Sequence, residues 1–190
     1  MKSDISFLAV LFVLAMLAGC NKQADGSSAA AASAKRLDVK VGDMAPDFTL
    51  HGYPVDELTL SSLRGQRAVV LYFYPRDKTP DCTTEACTFR DTEAAFARHG
   101  AAIIGVSSDG VESHTLFADE LSLPFPLLSD VDGTVRQLYG NPDGGGALDP
   151  RITYVIDKRG VIVEIINGRR AQKLQDHIDL SLATVAALTK

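Results

Sequence analysis

Two cysteines, Cys82 and Cys87, lie close together in a stretch of the chain that could carry redox chemistry. A cysteine thiolate is a strong nucleophile, and two neighbouring thiols can form or exchange a disulfide. Thr79 precedes Cys82 in a turn that also contains Pro75 and Pro80. These residue types predict a nucleophilic thiol that is held in a stiff turn, with a hydroxyl group close to it.

The segments on either side of this turn would position the thiol. Residues 68–74 form an apolar run rich in β-branched and aromatic side chains, which predicts a buried central strand. The segment from Thr88 to His99 mixes apolar and charged residues and is followed by Gly100, which predicts a helix with a glycine stop. Cys82 is therefore expected in or beside the first helical turn, where free N–H groups and the helix dipole favour a thiolate.

This combination of residues resembles the active-site motif of a known family. The spacing of Pro75, Thr79 and Cys82 is similar to the proline, threonine and peroxidatic cysteine of the peroxiredoxins. Cys87 resembles the resolving cysteine of the subgroup called bacterioferritin comigratory protein or peroxiredoxin Q. The likeness extends from about Val41 to the C-terminus. It implies a thiol peroxidase in which peroxide converts Cys82 to a sulfenic acid and Cys87 resolves it as an intramolecular disulfide.

The resemblance also implies roles for other residues. Arg151 would favour the thiolate and donate to the peroxide. The Thr79 hydroxyl and the Cys82 N–H would complete the peroxide clamp, Pro75 would stiffen the loop, and Glu85 would orient an arginine. The expected substrates are hydrogen peroxide and small organic hydroperoxides, and the expected reductant is a thioredoxin-like dithiol. No cofactor or metal is implied, and the subgroup resemblance suggests a monomer.

The residues alone leave other interpretations open. A thioredoxin-type thiol–disulfide oxidoreductase normally carries Cys-x-x-Cys, and a copper-delivery protein of similar fold would need Cys-x-x-x-Cys with a suitable histidine. The two cysteines could also form a structural disulfide in a non-catalytic interaction domain. Arg151 could be an ordinary charge at the end of a strand, and Thr79 could be only a turn residue.

The remaining segments predict alternating strands and helices. Strands are expected at residues 101–107, 125–128, 151–156 and 161–166, the last two joined by a turn at 157–160. Helices are expected from an N-cap at Asp109 to about Leu121, over residues 133–139, and from about Ala171 onward, with a short turn or helix at residues 58–63. This order gives an α/β architecture with a mixed sheet flanked by helices. It resembles the thioredoxin fold in its peroxiredoxin form.

The N-terminal segment is typical of an export signal. Residues 5–17 are almost wholly apolar, but a membrane-spanning helix needs about 20 such residues, so the segment predicts the core of a signal peptide. Residues 17–20, Leu-Ala-Gly-Cys, resemble the lipobox of bacterial lipoproteins, which implies cleavage before Cys20 and a lipid on its sulfur. The alternative is an uncleaved anchor helix. Either way, the domain would face away from the cytoplasm, and Asn21 favours the outer membrane in a Gram-negative host.

The domain division follows from these predictions. Residues 1–19 would be the lipoprotein signal peptide, residues 20–36 the lipidated cysteine with a flexible Ala/Ser-rich tether, and residues 37–190 the peroxiredoxin domain. The chain has three cysteines, and assigning Cys20 to lipid leaves the other two as a pair.

Composition and scattered motifs exclude other classes of function. The 190-residue chain has a formal net charge of −5 and no basic block, which gives no support for nucleic-acid binding. The glycines at 144–146 lack the Lys-Ser/Thr of a phosphate loop. The histidines at 51, 99, 114 and 177 are scattered, their spacing suggests no metal site, and surface or hydrogen-bonded roles are expected.

Helix geometry predicts a conformational change on oxidation. Two residues five positions apart on an ideal helix have Cα atoms about 8.7 Å apart. A disulfide usually requires Cα atoms within about 7 Å. If Cys82 and Cys87 both lie in regular helix, oxidation must unwind the segment from about Pro80 to Phe89, and reduction must rewind it.

Overall fold

A computed structural model describes residues 39–140, 151–167 and 173–189. The predicted signal peptide, Cys20, the tether, residues 144–146 and the predicted helix start at Ala171 lie outside the described residues. The strands are β1 Thr49–Tyr53, β2 Glu57–Thr59, β3 Ala68–Phe73, β4 Ala101–Ser107, β5 Leu127–Ser129, β6 Ile152–Ile156 and β7 Ile162–Asn167. The helices are α1 Pro80–Arg98, α2 Val111–Leu121, α3 Thr134–Leu138 and α4 Leu174–Leu188, with a 3₁₀ turn at Leu60–Leu63.

The strands form one mixed sheet in the order β2-β1-β5-β4-β3-β6-β7. Strand β3 pairs in parallel with β4 and antiparallel with β6, so it lies inside the sheet. All six of its residues are buried, which explains its continuous apolar sequence. The predicted α/β class, with a mixed central sheet flanked by helices, is confirmed.

The two faces of β3 contribute to separate core clusters. Val70 and Tyr72 belong to a cluster that includes Phe89 of α1 and Ile178 of α4. Alternate residues, including Leu71, belong to a second cluster with residues from α3 and the N-terminal segment. Alternation with a period of two is expected of a strand. Through the first cluster, β3 packs against the first half of α1.

Some predicted boundaries are wrong for identifiable reasons. Helix α2 has Gly110 as its N-cap and not Asp109, because the Asp109 carboxylate accepts hydrogen bonds from Ser107 Oγ and the Asp77 N–H. Strand β5 begins after Pro126, which has no N–H to donate to a neighbouring strand. The region predicted as a turn or helix at 58–63 contains the end of β2 before its 3₁₀ turn.

Helix α1 begins earlier than the apolar pattern from Thr88 predicted. Its N-cap is Thr79, Pro80 occupies the first turn, and the helix ends before His99. Proline suits this position because the first N–H groups of a helix have no partner inside the helix. Cys82 therefore lies in the first turn, as predicted. Within the three described ranges, no helix combines the length and the apolar character needed to cross a membrane.

Candidate active site

Cys82 and Arg151 are brought together by the pairing of β3 with β6. Arg151 directly precedes β6, whose residue Ile152 pairs with Phe73 at the end of β3. The Arg151 Nη2 donates to Cys82 Sγ at 3.3 Å. Cys82 is 1% exposed and Arg151 is 8% exposed, so the contact is shielded from water. A guanidinium at this distance favours a thiolate and can donate to an oxygen that approaches the sulfur.

Glu85 connects to the same guanidinium. Arg151 Nε donates to Glu85 Oε2 at 3.2 Å, and the Glu85 side chain is fully buried one helical turn after Cys82. Because the guanidinium is planar, a carboxylate that holds Nε also fixes the direction of Nη2. The structure thus places Glu85 where it can orient Arg151 toward the sulfur.

Thr79 and Pro75 lie in the loop that joins β3 to α1. The Thr79 carbonyl accepts the first helical hydrogen bond from Thr83 N at 2.9 Å, and its hydroxyl donates to the carbonyl of Arg76 at 3.3 Å. Both Thr79 and Pro75 are half-buried. The structure therefore brings Thr79 to the same helix N-terminus as Cys82, with its hydroxyl directed to the loop.

Cys87 lies further along α1 and is a half-buried free thiol, as Cys82 is a buried one. Both cysteines lie within one α-helix, which is the condition under which the sequence predicted unwinding on oxidation. At the ideal helical separation of about 8.7 Å between Cα atoms, they cannot form a disulfide without a change in the backbone.

A buried tyrosine, Tyr72, belongs to the same core cluster as Cys82. Burial raises the pKa of Tyr72 well above its usual value, and the nearby carboxylates of Glu85 and Asp77 raise it further. The Tyr72 ring stacks on Phe89 at a centroid distance of 4.6 Å. Tyr72 therefore stays protonated and packs against α1 through Phe89.

Two buried residues, Asp77 in the loop and His114 on α2, were not predicted from the sequence as part of the site. His114 Nδ1 lies 2.9 Å from Asp77 Oδ2, and both side chains are nearly inaccessible to water. The position of Asp77, midway between Pro75 and Thr79, could have indicated a role in the site. An aspartate in a turn is usually exposed, however, so a buried role was not predicted. His114 appeared only as one of several scattered histidines.

The other histidines also have hydrogen-bonding partners. His177 Nδ1 lies 2.9 Å from Thr153 Oγ1 in the interior, while His51 and His99 bond near the surface. Among the described residues, no group of three His, Cys, Asp or Glu side chains is arranged to hold a metal ion.

One pocket in the described part of the chain lies away from Cys82. It has a volume of about 510 Å³ and is lined by residues that include Ala68, His99 and Lys158. Ala68 begins β3, whereas Cys82 follows the end of β3, and a strand of this length spans roughly 17–20 Å. This pocket is therefore separate from the candidate active site.

Comparisons with known proteins find matches to both the sequence and the fold of this chain. The model of the AhpC/TSA family matches residues 41–165. Chloroplastic peroxiredoxin Q of Sedum lineare is 42% identical over 151 residues, which cover 79% of this chain and 80% of the relative. The crystal structure of peroxidoxin BcpB from Mycobacterium tuberculosis is 38% identical with a TM-score of 0.72, covering 79% of this chain and 98% of that chain.

A second bacterial structure also matches this chain. The bacterioferritin comigratory protein of Xanthomonas campestris, described for its alkyl peroxide reduction activity, is 30% identical with a TM-score of 0.68. The match covers 80% of this chain and 99% of that chain. Together with the sheet order, these similarities show the thioredoxin-like fold in its peroxiredoxin form.

Proposed function

This chain belongs to the AhpC/TSA family and is a thiol peroxidase of the peroxiredoxin Q type, and from this premise we propose that Cys82 is the thiol that reacts with peroxide. The observation that carries the proposal is the buried contact of 3.3 Å between Arg151 Nη2 and Cys82 Sγ at the N-terminus of α1. A thiolate at this position has both a cation and helical N–H groups to stabilise it.

The first half-reaction oxidises Cys82. The thiolate sulfur attacks one peroxide oxygen, an S–O bond forms, and the O–O bond breaks. The other oxygen takes up a proton and leaves as water or an alcohol, so the peroxide gains the two electrons that the sulfur loses. Arg151 and the helix N–H groups stabilise the negative charge that develops on the departing oxygen. The Thr79 hydroxyl, which donates to the Arg76 carbonyl in the structure, would turn toward that oxygen to donate as well.

The second half-reaction restores the thiol. The Cys87 thiolate attacks the sulfur of the Cys82 sulfenic acid, an S–S bond forms, and hydroxide leaves and is protonated to water. An external dithiol then reduces this disulfide and is itself oxidised. Since both cysteines lie in α1, the S–S bond requires the first turns of the helix to unwind. Unwinding separates Glu85 from Arg151 and exposes the disulfide to its reductant.

The proposed substrates are hydrogen peroxide and small organic hydroperoxides. The alkyl peroxide reduction described for the Xanthomonas campestris relative supports the organic class. The proposed reductant is a thioredoxin-like dithiol, and the chain would act as a monomer.

A peroxide consumption assay tests the proposed function. With excess dithiothreitol, the reduced protein should consume hydrogen peroxide continuously, and without dithiothreitol it should consume one equivalent. Reduced protein that leaves peroxide untouched would refute the proposal. Rapid reduction of protein disulfides without peroxide consumption would instead favour a thioredoxin-type oxidoreductase.

We also propose that the chain is an exported lipoprotein, on the basis of residues 1–20 alone. Residues 1–19 would be removed, Cys20 would carry lipid, residues 20–36 would tether the domain, and residues 37–190 would work on the extracytoplasmic side, with the outer membrane favoured in a Gram-negative host. More than one acyl chain gives stable anchoring. A cytosolic thioredoxin would not reach the domain directly, so a donor on the same side of the membrane is implied.

Metabolic labelling tests this location. The wild-type protein should incorporate palmitate and partition into a detergent phase, whereas Cys20→Ser should remain unlabelled and poorly cleaved. A wild-type protein that is cut at another bond and carries no label would contradict the lipoprotein proposal.

A further inference from the structure

Asp77 is a buried carboxylate in the loop before Cys82. Only 5% of the residue is exposed. Its Oδ1 accepts a hydrogen bond from the Tyr74 hydroxyl at 2.7 Å, and its Oδ2 accepts from Ser113 Oγ at 2.8 Å and lies 2.9 Å from His114 Nδ1. Burial raises the pKa of Asp77, but hydrogen bonds from His114, Tyr74 and Ser113 outweigh it and hold the pKa below its usual value. A buried carboxylate with three donors is a strong anchoring point.

The main chain of Asp77 is fixed as well. Its N–H donates to Asp109 Oδ2 at 2.9 Å. The same Asp109 oxygen accepts from Ser107 Oγ at 2.6 Å, and Asp109 N–H donates back to Ser107 Oγ at 3.1 Å. The loop is therefore fastened to two neighbouring segments, the connection after β4 and the first turn of α2. Tyr74, Asp77, Asp109, Ser113 and His114 together form what we name the loop clamp.

The residue after Asp77 shows why the loop needs fastening. Lys78 has φ of 60°, in the left-handed region that non-glycine residues rarely adopt. A strained backbone of this kind persists only where surrounding contacts hold it. Lys78 directly precedes Thr79, the N-cap of α1, so its conformation sets the direction in which the helix and Cys82 leave the loop.

We propose that the loop clamp positions Cys82 for peroxide attack, with Asp77 and His114 as positioning residues for that step. This inference rests on the proposed role of Cys82. The loop clamp contacts the loop and not the turns that unwind. It therefore holds the part of the site that keeps its position during the reaction. Attack on peroxide requires the sulfur, Arg151 and the helix N-terminus to keep their relative positions. A displacement of about 1 Å can lower the rate on the order of 10²-fold. Reduction of the disulfide takes place in the unwound form and does not require these relative positions.

Two substitutions at His114 test the proposal. His114→Leu keeps a similar volume and removes the donor to Asp77, whereas His114→Asn places an amide N–H near the position of Nδ1. Stopped-flow measurements on the full-length protein would follow oxidation of the reduced form by hydrogen peroxide, and separately reduction of the disulfide by dithiothreitol. We expect His114→Leu to slow oxidation at least tenfold and to change reduction less than twofold, and we expect His114→Asn to recover most of the oxidation rate.

A histidine outside the loop clamp provides the control substitution. His51→Leu alters an exposed histidine on β1 and should leave both rates within twofold of wild type. Oxidation of a folded His114→Leu protein at the wild-type rate would overturn the proposal. Equal losses in both half-reactions that His114→Asn does not recover would show a merely structural role and overturn it too.

A milder substitution covers the case in which His114→Leu does not fold. Ser113→Ala removes one of the three donors to Asp77 and should slow oxidation about threefold, with reduction unchanged. An unchanged oxidation rate in this variant would contradict the proposal. Wild-type protein that fails to react with peroxide would instead refute the proposed function itself.

Discussion

The loop before Cys82 and the helical turns after it adjoin in the chain, but their polar groups have different partners. In the loop, Asp77 forms hydrogen bonds with Asp109, which follows β4, and with Ser113 and His114 of α2. In the turns, Thr84 Oγ1 donates to the Pro80 carbonyl at 3.0 Å and Thr88 Oγ1 to the Thr84 carbonyl at 2.8 Å, both within α1 itself. Threonines that bond to their own helix do not fasten it to its surroundings. Apart from the bond between Glu85 and Arg151, which unwinding would break, the contrast indicates a fixed segment before the reacting sulfur and a movable one after it.

Packing sets a boundary to the movable segment. Phe89 is fully buried and stacks on Tyr72, and exposing a side chain of this kind costs about 1.5–3 kcal/mol. The next residue, Arg90, donates from Nη1 to the Leu121 carbonyl at the end of α2 at 2.8 Å. We therefore expect unwinding to end before Phe89, slightly short of the range that the sequence predicted.

The largest effects are expected at the two cysteines. Cys82→Ser should abolish peroxidase activity, because Cys87 lies beyond the first turn of α1 and has no comparable position at the helix N-terminus. Cys87→Ser should allow a single turnover and leave a sulfenic acid on Cys82. Dimedone labelling with mass spectrometry would detect that acid. Normal turnover by Cys82→Ser would show that the nucleophile is wrongly assigned.

A smaller loss is expected at Arg151. Arg151→Met removes a buried charged donor from the sulfur, and deletion of a comparable donor in an oxyanion hole costs on the order of 2.7–4 kcal/mol, or 10²- to 10³-fold in rate. Stopped-flow oxidation by hydrogen peroxide from pH 5 to pH 8 would measure the loss. Arg159→Met is the matched control, because its side chain is 80% exposed in the β6–β7 turn and its substitution should have little effect. Unchanged rates in Arg151→Met would remove Arg151 from the site.

Part of the fold and of the candidate site could be predicted from the sequence. Strand β3 was found because both of its faces are buried and its sequence is continuously apolar. The position of Cys82 in the first turn of α1 followed from the strand, the prolines and the resemblance. The apolar pattern of α1 could be followed only from Thr88, since the first turns bury Cys82 and Glu85 and contain several threonines, which hides the usual apolar period.

The pairing of Asp77 with His114 could not be predicted in the same way. The two residues are far apart in the chain, and a hydrogen bond between distant elements leaves no periodic signal. Arg151 was placed near the sulfur by resemblance, because the register of β3 with β6 that brings it there is a property of the folded sheet. Local patterns thus identified the elements, while the contacts between elements required the structure.

The smallest expected effect concerns the pH dependence of stability. The pKa of Asp77 is lowered in the folded protein, so its ionised form stabilises the fold above its unfolded pKa of about 3.9, and this contribution is lost as the pH falls through the lower folded value. Asp77→Asn should therefore lower the free energy of unfolding by about 2 kcal/mol at pH 7, and by less as the pH approaches 3.

Urea unfolding of both proteins at several pH values would measure this difference. Asp56→Asn is the control, because Asp56 is exposed. A deficit in Asp77→Asn that stays constant from pH 7 to pH 3 would mean that the charge of Asp77 does not contribute to the clamp.

Amide hydrogen exchange on the reduced and the oxidised protein tests the central claim most directly. Oxidation should remove protection from residues 83–88, while the loop at Arg76–Thr79 and the remainder of α1 beyond Phe89 keep theirs. Mass spectrometry would confirm the Cys82–Cys87 disulfide in the oxidised sample. Equal protection across residues 83–88 in both states, with that disulfide present, would contradict the account, because the two cysteines would then form a static bond without any unwinding of the helix.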